Sequence, residues 1–178
     1  MRNQITEEIR SIEPFDALES LTIKDVLAWL ESDADIYRIK KPDIPNRHLV
    51  SYFVVVDGEY ILLVDHINAE LWLPTGGHVE PGENPRTTVV REAREELTID
   101  AVFFKEKPVM ISNTTTVGRT SGHVDVSLWY AIKGNRSTVM DFDTTEFHRV
   151  KWFHKDDIPY VRTDPELYRF LAKFYKTT

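Results

Sequence analysis

The sequence predicts an α/β protein with a mixed β-sheet and a helical N-terminal segment. Three observations carry that expectation. Runs rich in β-branched and aromatic residues recur between positions 48 and 153. One helical stretch interrupts them near 85–97, and another closes the chain. Strands and helices do not alternate regularly, which argues against a purely parallel sheet and for an α/β sandwich.

The chain divides by composition into a helical extension, 1–45, and a main domain, 46–178. Leu18, Leu21, Val26, Leu27, Trp29 and Leu30 suit short amphipathic helices. Thr22 is the expected cap of a helix starting near Ile23, with Asp25 in its first turn. Lys41-Pro42-Asp43-Ile44-Pro45-Asn46 is a turn-rich boundary. Both a cap packed on the domain and a separate interaction module fit the extension.

Strands are expected at 48–56 and 60–64, joined by a hairpin at Asp57-Gly58. Leu71-Trp72-Leu73 then meets Pro74-Thr75-Gly76-Gly77, which reads as a break. Pro81-Gly82 is a turn, Asn84 a helix cap and Pro85 a first-turn residue. Val89, Val90, Ala93 and Leu97 give the following helix one apolar face. Strand-like runs return at 101–104, 109–115, 123–132 and 149–153. The last helix is expected to have Asp164 as cap, Pro165 first, and Leu167, Phe170, Leu171 and Phe174 as its buried stripe.

Charge and residue usage exclude several function classes. The chain has 178 residues, 22 Lys+Arg and 29 Asp+Glu, so its net charge is −7. Such a chain is a poor general binder of nucleic-acid backbones, and no stable nucleic-acid complex is expected. A phosphorylated substrate would need a metal ion to offset the repulsion. The absence of cysteine excludes disulfides, thiolate metal sites and a cysteine nucleophile. No apolar run reaches the roughly 20 residues of a membrane span, and the polar, charged start lacks a signal-peptide core. No membrane association and a cytoplasmic setting are expected.

The chemistry is concentrated in the helix near 85–97. Glu92, Glu95 and Glu96 stand at i, i+3 and i+4, so their carboxylates share one face. Like charges so close destabilise a helix unless something neutralises them. Arg91 and Arg94 are expected to point to other sides and to do so only in part. A hard divalent cation is the better answer, because Mg²⁺ prefers carboxylate oxygens and water. Glu83 can reach back to the same region, and a backbone carbonyl at Gly76-Gly77 could join the ligands.

These residues resemble the signature of the Nudix hydrolase family. That signature runs Gly, five residues, Glu, seven residues, Arg-Glu, an apolar residue, any residue, Glu-Glu, any residue, Gly, an apolar residue. Gly77, Glu83, Arg91, Glu92, Ala93, Glu95, Glu96 and Ile99 fall in register, and Thr98 replaces the final Gly. The flanking strands and Trp72 extend the likeness over roughly 48–160. The resemblance implies the Nudix α/β/α sandwich with a mixed sheet. It implies Glu92 and Glu96 as main metal ligands, with Glu95 sharing a metal or acting through water. Gly77 would add a carbonyl, and the ion would be Mg²⁺, with Mn²⁺ as the alternative. Arg91 would orient the carboxylates by pairing with Glu83. The reaction implied is water attack on phosphorus in a nucleoside diphosphate linked to another group, with Glu95 or Glu146 taking the proton. Thr98 puts the geometry of the helix end in question more than the activity.

Further candidates each have a plainer alternative. His78 and His123 could touch substrate, or be structural. Trp72 and Trp129 could stack on a base, or belong to the core. Arg38, Lys40 and Arg47 could clamp phosphates beside Gly76, Gly77 and His78, or form a solvated basic turn. Glu146 could be an ordinary loop acid.

The expected substrate is a nucleoside triphosphate or another small nucleoside diphosphate derivative. Downstream markers of two subgroups, a proline for ADP-ribose cleavage and a tyrosine for diadenosine polyphosphates, are replaced by Thr114-Thr115-Thr116-Val117. The lack of cysteine argues against the family's isoprenoid diphosphate isomerase activity. A nucleotide-sensing module that does not cleave is the alternative function, although such modules usually lose signature carboxylates. The resemblance also admits a homodimer.

Overall fold

Strand β1 (Arg47–Asp57) runs through the middle of the sheet. Its sequence is almost continuously apolar because both faces are covered. Leu49, Phe53 and Val55 enter one core cluster, while Val54 and Val56 enter the other. This is the period of two that a strand imposes. The computed structural model describes residues 1–40, 44–116 and 122–177.

β2 (Tyr60–His66) returns antiparallel to β1 through Asp57 and Gly58, whose φ of 62° suits a tight turn. β3 (Leu71–Leu73) and β7 (Phe147–His154) pair with β2. β5 (Met110–Thr115) pairs antiparallel with β6 (Val124–Lys133). β6 lies parallel to β1, with Arg47 opposite Val124 and Val56 opposite Lys133. The order β3-β2-β1-β6-β5, with β4 (Thr75–His78) also on β1, makes the sheet mixed as expected.

Helices cover both faces. α3 (Pro85–Leu97) is capped by Asn84, whose side chain accepts from the Thr87 amide at 2.8 Å. Its Val89, Ala93 and Leu97 enter the first cluster beside Phe53 and Leu128. Ile5, Ile9, Ile12, Val26 and Leu30 of the N-terminal segment join the same cluster. Leu167, Phe170, Leu171 and Phe174 of α4 (Leu167–Thr177) pack on the opposite face against Trp129 and Val54. Burying one such side chain contributes about 1.5–3 kcal/mol.

Four expectations are corrected. Residues 75–77 form strand β4, not a break. A Cβ on Gly76 would overlap the Ser51 carbonyl, so this glycine serves close strand approach and not only a turn. Residues 101–104 form no strand beyond a Phe103–Ile132 bridge. α2 (Ala17–Glu31) begins well before Ile23. Asp16 caps it by accepting from the Glu19 amide, and Glu19 accepts in return from the Phe15 amide at 2.6 Å. Thr22 is inside this helix and donates to the Leu18 carbonyl, while Leu18 and Leu21 are exposed. The last helix starts at Leu167, later than Pro165, with the Asp164 carboxylate accepting from the Glu166 amide at 2.7 Å. α1 (Arg2–Arg10) was not specifically anticipated. Of the expected turn at 41–46, residues 41–43 lie outside the described residues. Among the described residues, no helix is long and apolar enough to cross a membrane.

Candidate active site

The site forms where β4 crosses the acidic face of α3. Helical spacing places Glu92 and Glu96 one turn apart, and the buried Val89–Ala93–Leu97 face fixes which way they point. The Gly76 amide donates to Glu96 Oε2 at 3.1 Å. A Cβ on Gly77 would overlap the Glu92 carboxylate outright. The two glycines therefore let the backbone touch both carboxylates.

Arg91 sits at the centre of the charges. Its Nε donates to Glu83 Oε1 at 2.9 Å and its Nη2 to Glu83 Oε2 at 3.1 Å. Nη1 donates to Glu92 at 2.7 Å and to Glu95 at 3.1 Å, and Nη2 also donates to the His78 carbonyl. The expectation that Arg91 points away from the acids is corrected. Its long side chain spans from the helix to Glu83, which α-carbon directions alone do not show. Arg94 does point away and pairs with Asp100. Pairing with Glu83, above all, holds the Arg91 guanidinium strongly protonated.

The carboxyls differ by surroundings. Burial raises the Glu92 carboxyl; Arg91 pulls it back, and the charges of Glu95 and Glu146 add to the rise. Burial also pushes Glu96 well above the usual carboxylate range, with the charges of Glu92 and Glu146 adding to it. For Glu83, burial is outweighed by hydrogen bonds from Arg91, Thr88 and the Glu80 amide, so its carboxyl lies below the ordinary value. Glu95 is the exposed member, with 59% of its side chain accessible.

Glu146 lies on the exposed loop before the last residues of the sheet. The Asp143 amide donates to the Glu96 carbonyl at 2.9 Å, and the Ile67 amide to the Glu146 carbonyl at 2.9 Å. The first bond ties that loop to the end of α3 and the second ties it to the residue that follows β2. Arg38 feels the charges of Asp125 and Glu92, and Arg38, Lys40 and His78 line a cavity of about 220 Å³. Arg47 is drawn elsewhere: it pairs with Asp25 and its guanidinium lies 4.6 Å from the Trp29 ring centroid. Trp129 is fully buried and donates to Ser112 Oγ at 2.8 Å, and Trp72 packs edge-on against Phe153, so both are core residues. His78 and His123 group with His48 and Asp125, two residues the sequence did not single out. The signal for them was the parallel β1–β6 register, which local pattern does not reveal.

A family model described as the NUDIX domain matches residues 46–175. The chain belongs to the Nudix hydrolase family. Mouse bis(5'-nucleosyl)-tetraphosphatase (asymmetrical) is 42% identical over 56 residues, which is 32% of this chain and 38% of that protein. The match thus spans well under half the length of this relative. A Nudix-family hydrolase from Clostridium perfringens is 21% identical with a TM-score of 0.58, covering 74% of this chain and 99% of that one. The Escherichia coli dihydroneopterin triphosphate pyrophosphohydrolase is 17% identical with a TM-score of 0.59, covering 81% and 100%. At such identity these structures establish the shared α/β/α Nudix fold.

Proposed function

We propose that this Nudix chain is a metal-dependent pyrophosphohydrolase acting on a nucleoside triphosphate or another small nucleoside diphosphate derivative. The observation that carries the reading is the convergence of Glu92 and Glu96 on the Gly76–Gly77 backbone. The donors fit a hard divalent cation, Mg²⁺ or Mn²⁺. They are oxygen-only and partly withdrawn from water, and that burial, with neighbouring carboxylate charge adding to it, raises both carboxyls in a way a cation would relieve. Glu92 and Glu96 would hold the ion, with Glu95 and the Gly77 carbonyl as further donors. When bound, the ion lowers the pKa of water and neutralises phosphate charge.

The protein groups then divide the remaining work. Arg91 positions the Glu92 and Glu95 carboxylates while anchored on Glu83. Glu146 or Glu95, both exposed, would accept the proton from the attacking water. Arg38 and Lys40 line the neighbouring cavity beside His78, and their cationic groups would receive phosphate oxygens. The likeness to proteins named bis(5'-nucleosyl)-tetraphosphatase supports a nucleotide with phosphoanhydride bonds as substrate. The same reading puts the enzyme in the cytoplasm, without nucleic-acid partners, and treats 1–45 as a helical extension that completes the core of the 46–178 domain.

A nucleotide panel assayed for phosphate and pyrophosphate release, with and without Mg²⁺, tests this. Turnover is expected only with the ion, and Glu92→Gln and Glu96→Gln should each lower it at least about 100-fold, the few kcal/mol a bound metal supplies to the transition state. Full turnover in either variant would overturn the assigned roles.

A further inference from the structure

We propose that His48, His78, His123 and Asp125 form a second metal site, separate from the Glu92–Glu96 centre, that takes a late first-row divalent ion, Zn²⁺ foremost. One ligand atom from each of the four lies within 4.8 Å of the others. They come together from strands distant in sequence. His48 stands opposite Asp125 in the parallel β1–β6 pair, and His78 ends β4 opposite Val50. His123 immediately precedes β6. The group is sheltered, with His48 0%, His123 4% and Asp125 9% exposed.

The hydrogen bonds favour an ion over a self-contained network. His48 Nδ1 lies 2.8 Å from the Pro45 carbonyl oxygen, which can only accept. Nδ1 therefore carries the proton, and in the neutral ring Nε2 presents a lone pair. That buried Nε2 has no hydrogen-bond partner among the described residues, and neither does Asp125 Oδ1. They nevertheless face each other at 3.3 Å. Two acceptors at that distance repel unless a metal ion or an imidazolium proton stands between them, and the pair lacks the alignment of a hydrogen bond. His123 Nε2 also lies 3.4 Å from Asp125 Oδ1, while its Nδ1 lies 3.1 Å from Thr116 Oγ1, a hydroxyl that can either donate or accept.

The spacing also fits. Zinc bonds of about 2.0–2.1 Å in a tetrahedron put neighbouring ligand atoms about 3.3–3.4 Å apart. The two His–Asp separations already have that length. The widest pair, within 4.8 Å, needs a side chain to turn inward. Three imidazoles and one carboxylate suit Zn²⁺, whereas the oxygen-only glutamate centre suits Mg²⁺, so the two sites sort different ions. Four protein ligands leave no open position, which marks a structural site. It pins β1, β4 and β6 together one residue from Gly77.

The test uses the full chain, prepared without immobilised metal and stripped with a chelator, then probed with ZnCl₂ and CoCl₂. The expected result is one Zn²⁺ per chain after gel filtration, measured by elemental analysis. Co²⁺ should give visible d–d bands of a tetrahedral site, and Zn²⁺ should raise Tm by several degrees. His123→Asn and Asp125→Asn should lose the bands and weaken Zn²⁺ binding at least about 100-fold, while the Glu92→Gln/Glu96→Gln double variant keeps both. Circular dichroism checks that the variants fold. Should His123→Asn misfold, Asp125→Asn and His78→Asn decide. No retained Zn²⁺ overturns the proposal, as does binding unchanged in the cluster variants or lost only in the double glutamate variant. Turnover of the double variant separately tests the hydrolase reading.

Discussion

The Lys173 ammonium lies 2.8 and 2.9 Å from the two carboxylate oxygens of Glu19, joining the C-terminal helix to α2 in a fully buried pair. Glu19 also accepts from the amides of Phe15 and, on β5, Ile111. Arg169 repeats the link on the surface by pairing with Asp16. One carboxylate thus ties together the N-terminal segment, an edge strand and the helix on the opposite face.

Lys173→Met should strongly destabilise the protein. It leaves the Glu19 charge buried and without its cation, a loss typically worth about 3–5 kcal/mol. Urea unfolding reads this directly; a loss below about 1 kcal/mol would contradict the structural role.

Deleting residues 1–40 should give an insoluble or loosely packed chain. Ile5, Ile9, Val26 and Leu30 are between 0% and 3% exposed and cover the same sheet face as α3. Their loss uncovers an apolar face. Partition into the pellet and dye binding to exposed apolar surface check this, and a soluble remainder with an unchanged Tm would show the segment to be dispensable.

Gly77→Ala should reduce turnover more than stability. The added methyl would collide with the Glu92 carboxylate and push it off its position. A loss of at least about tenfold in kcat is expected, since small misplacements of catalytic groups can cost up to about 100-fold. Steady-state kinetics paired with thermal unfolding separates the two effects.

Thr98→Gly should stabilise the fold. Thr98 closes α3 with φ 54° and ψ 35°, a left-handed conformation that disfavours a β-branched residue. Relief of that strain, partly offset by glycine's greater freedom in the unfolded chain, should give about 0.5–1 kcal/mol. The helix end thus keeps the geometry that the signature glycine would provide.

Asp164→Asn should alter the pH dependence of stability. Burial, before all else, raises the Asp164 carboxyl to about 6. A raised folded-state value means the contribution is fully present below the unfolded value of about 3.9 and is lost as pH rises through about 6. The difference corresponds to at most about 3 kcal/mol. Asn can still accept from the Glu166 amide, so the variant should match the parent near pH 4 and exceed it above pH 7. Denaturation midpoints across that range check the sign.

Much of this was legible from local pattern. Asn84 and Pro85 announced the start of α3, and the spacing of Glu92 and Glu96 announced their shared face, because capping and helical period are local. The β1 and β2 hairpin was equally plain at Asp57-Gly58. Thr22 misled because a hydroxyl fits inside a helix as readily as at its start, while Asp16 capped the true start and Glu19 reached back to the Phe15 amide. The glycines at 76 and 77 misled because turn propensity and close packing call for the same residue.

Residue spacing by itself determined the acidic face, the glycine pair before it and the family to which they belong. Only the tertiary structure decided that β4 lies against that face and that His48 meets Asp125. The physical reason is that sheet register and side-chain reach are set by burial of distant apolar residues against one another, a condition no short window of sequence contains.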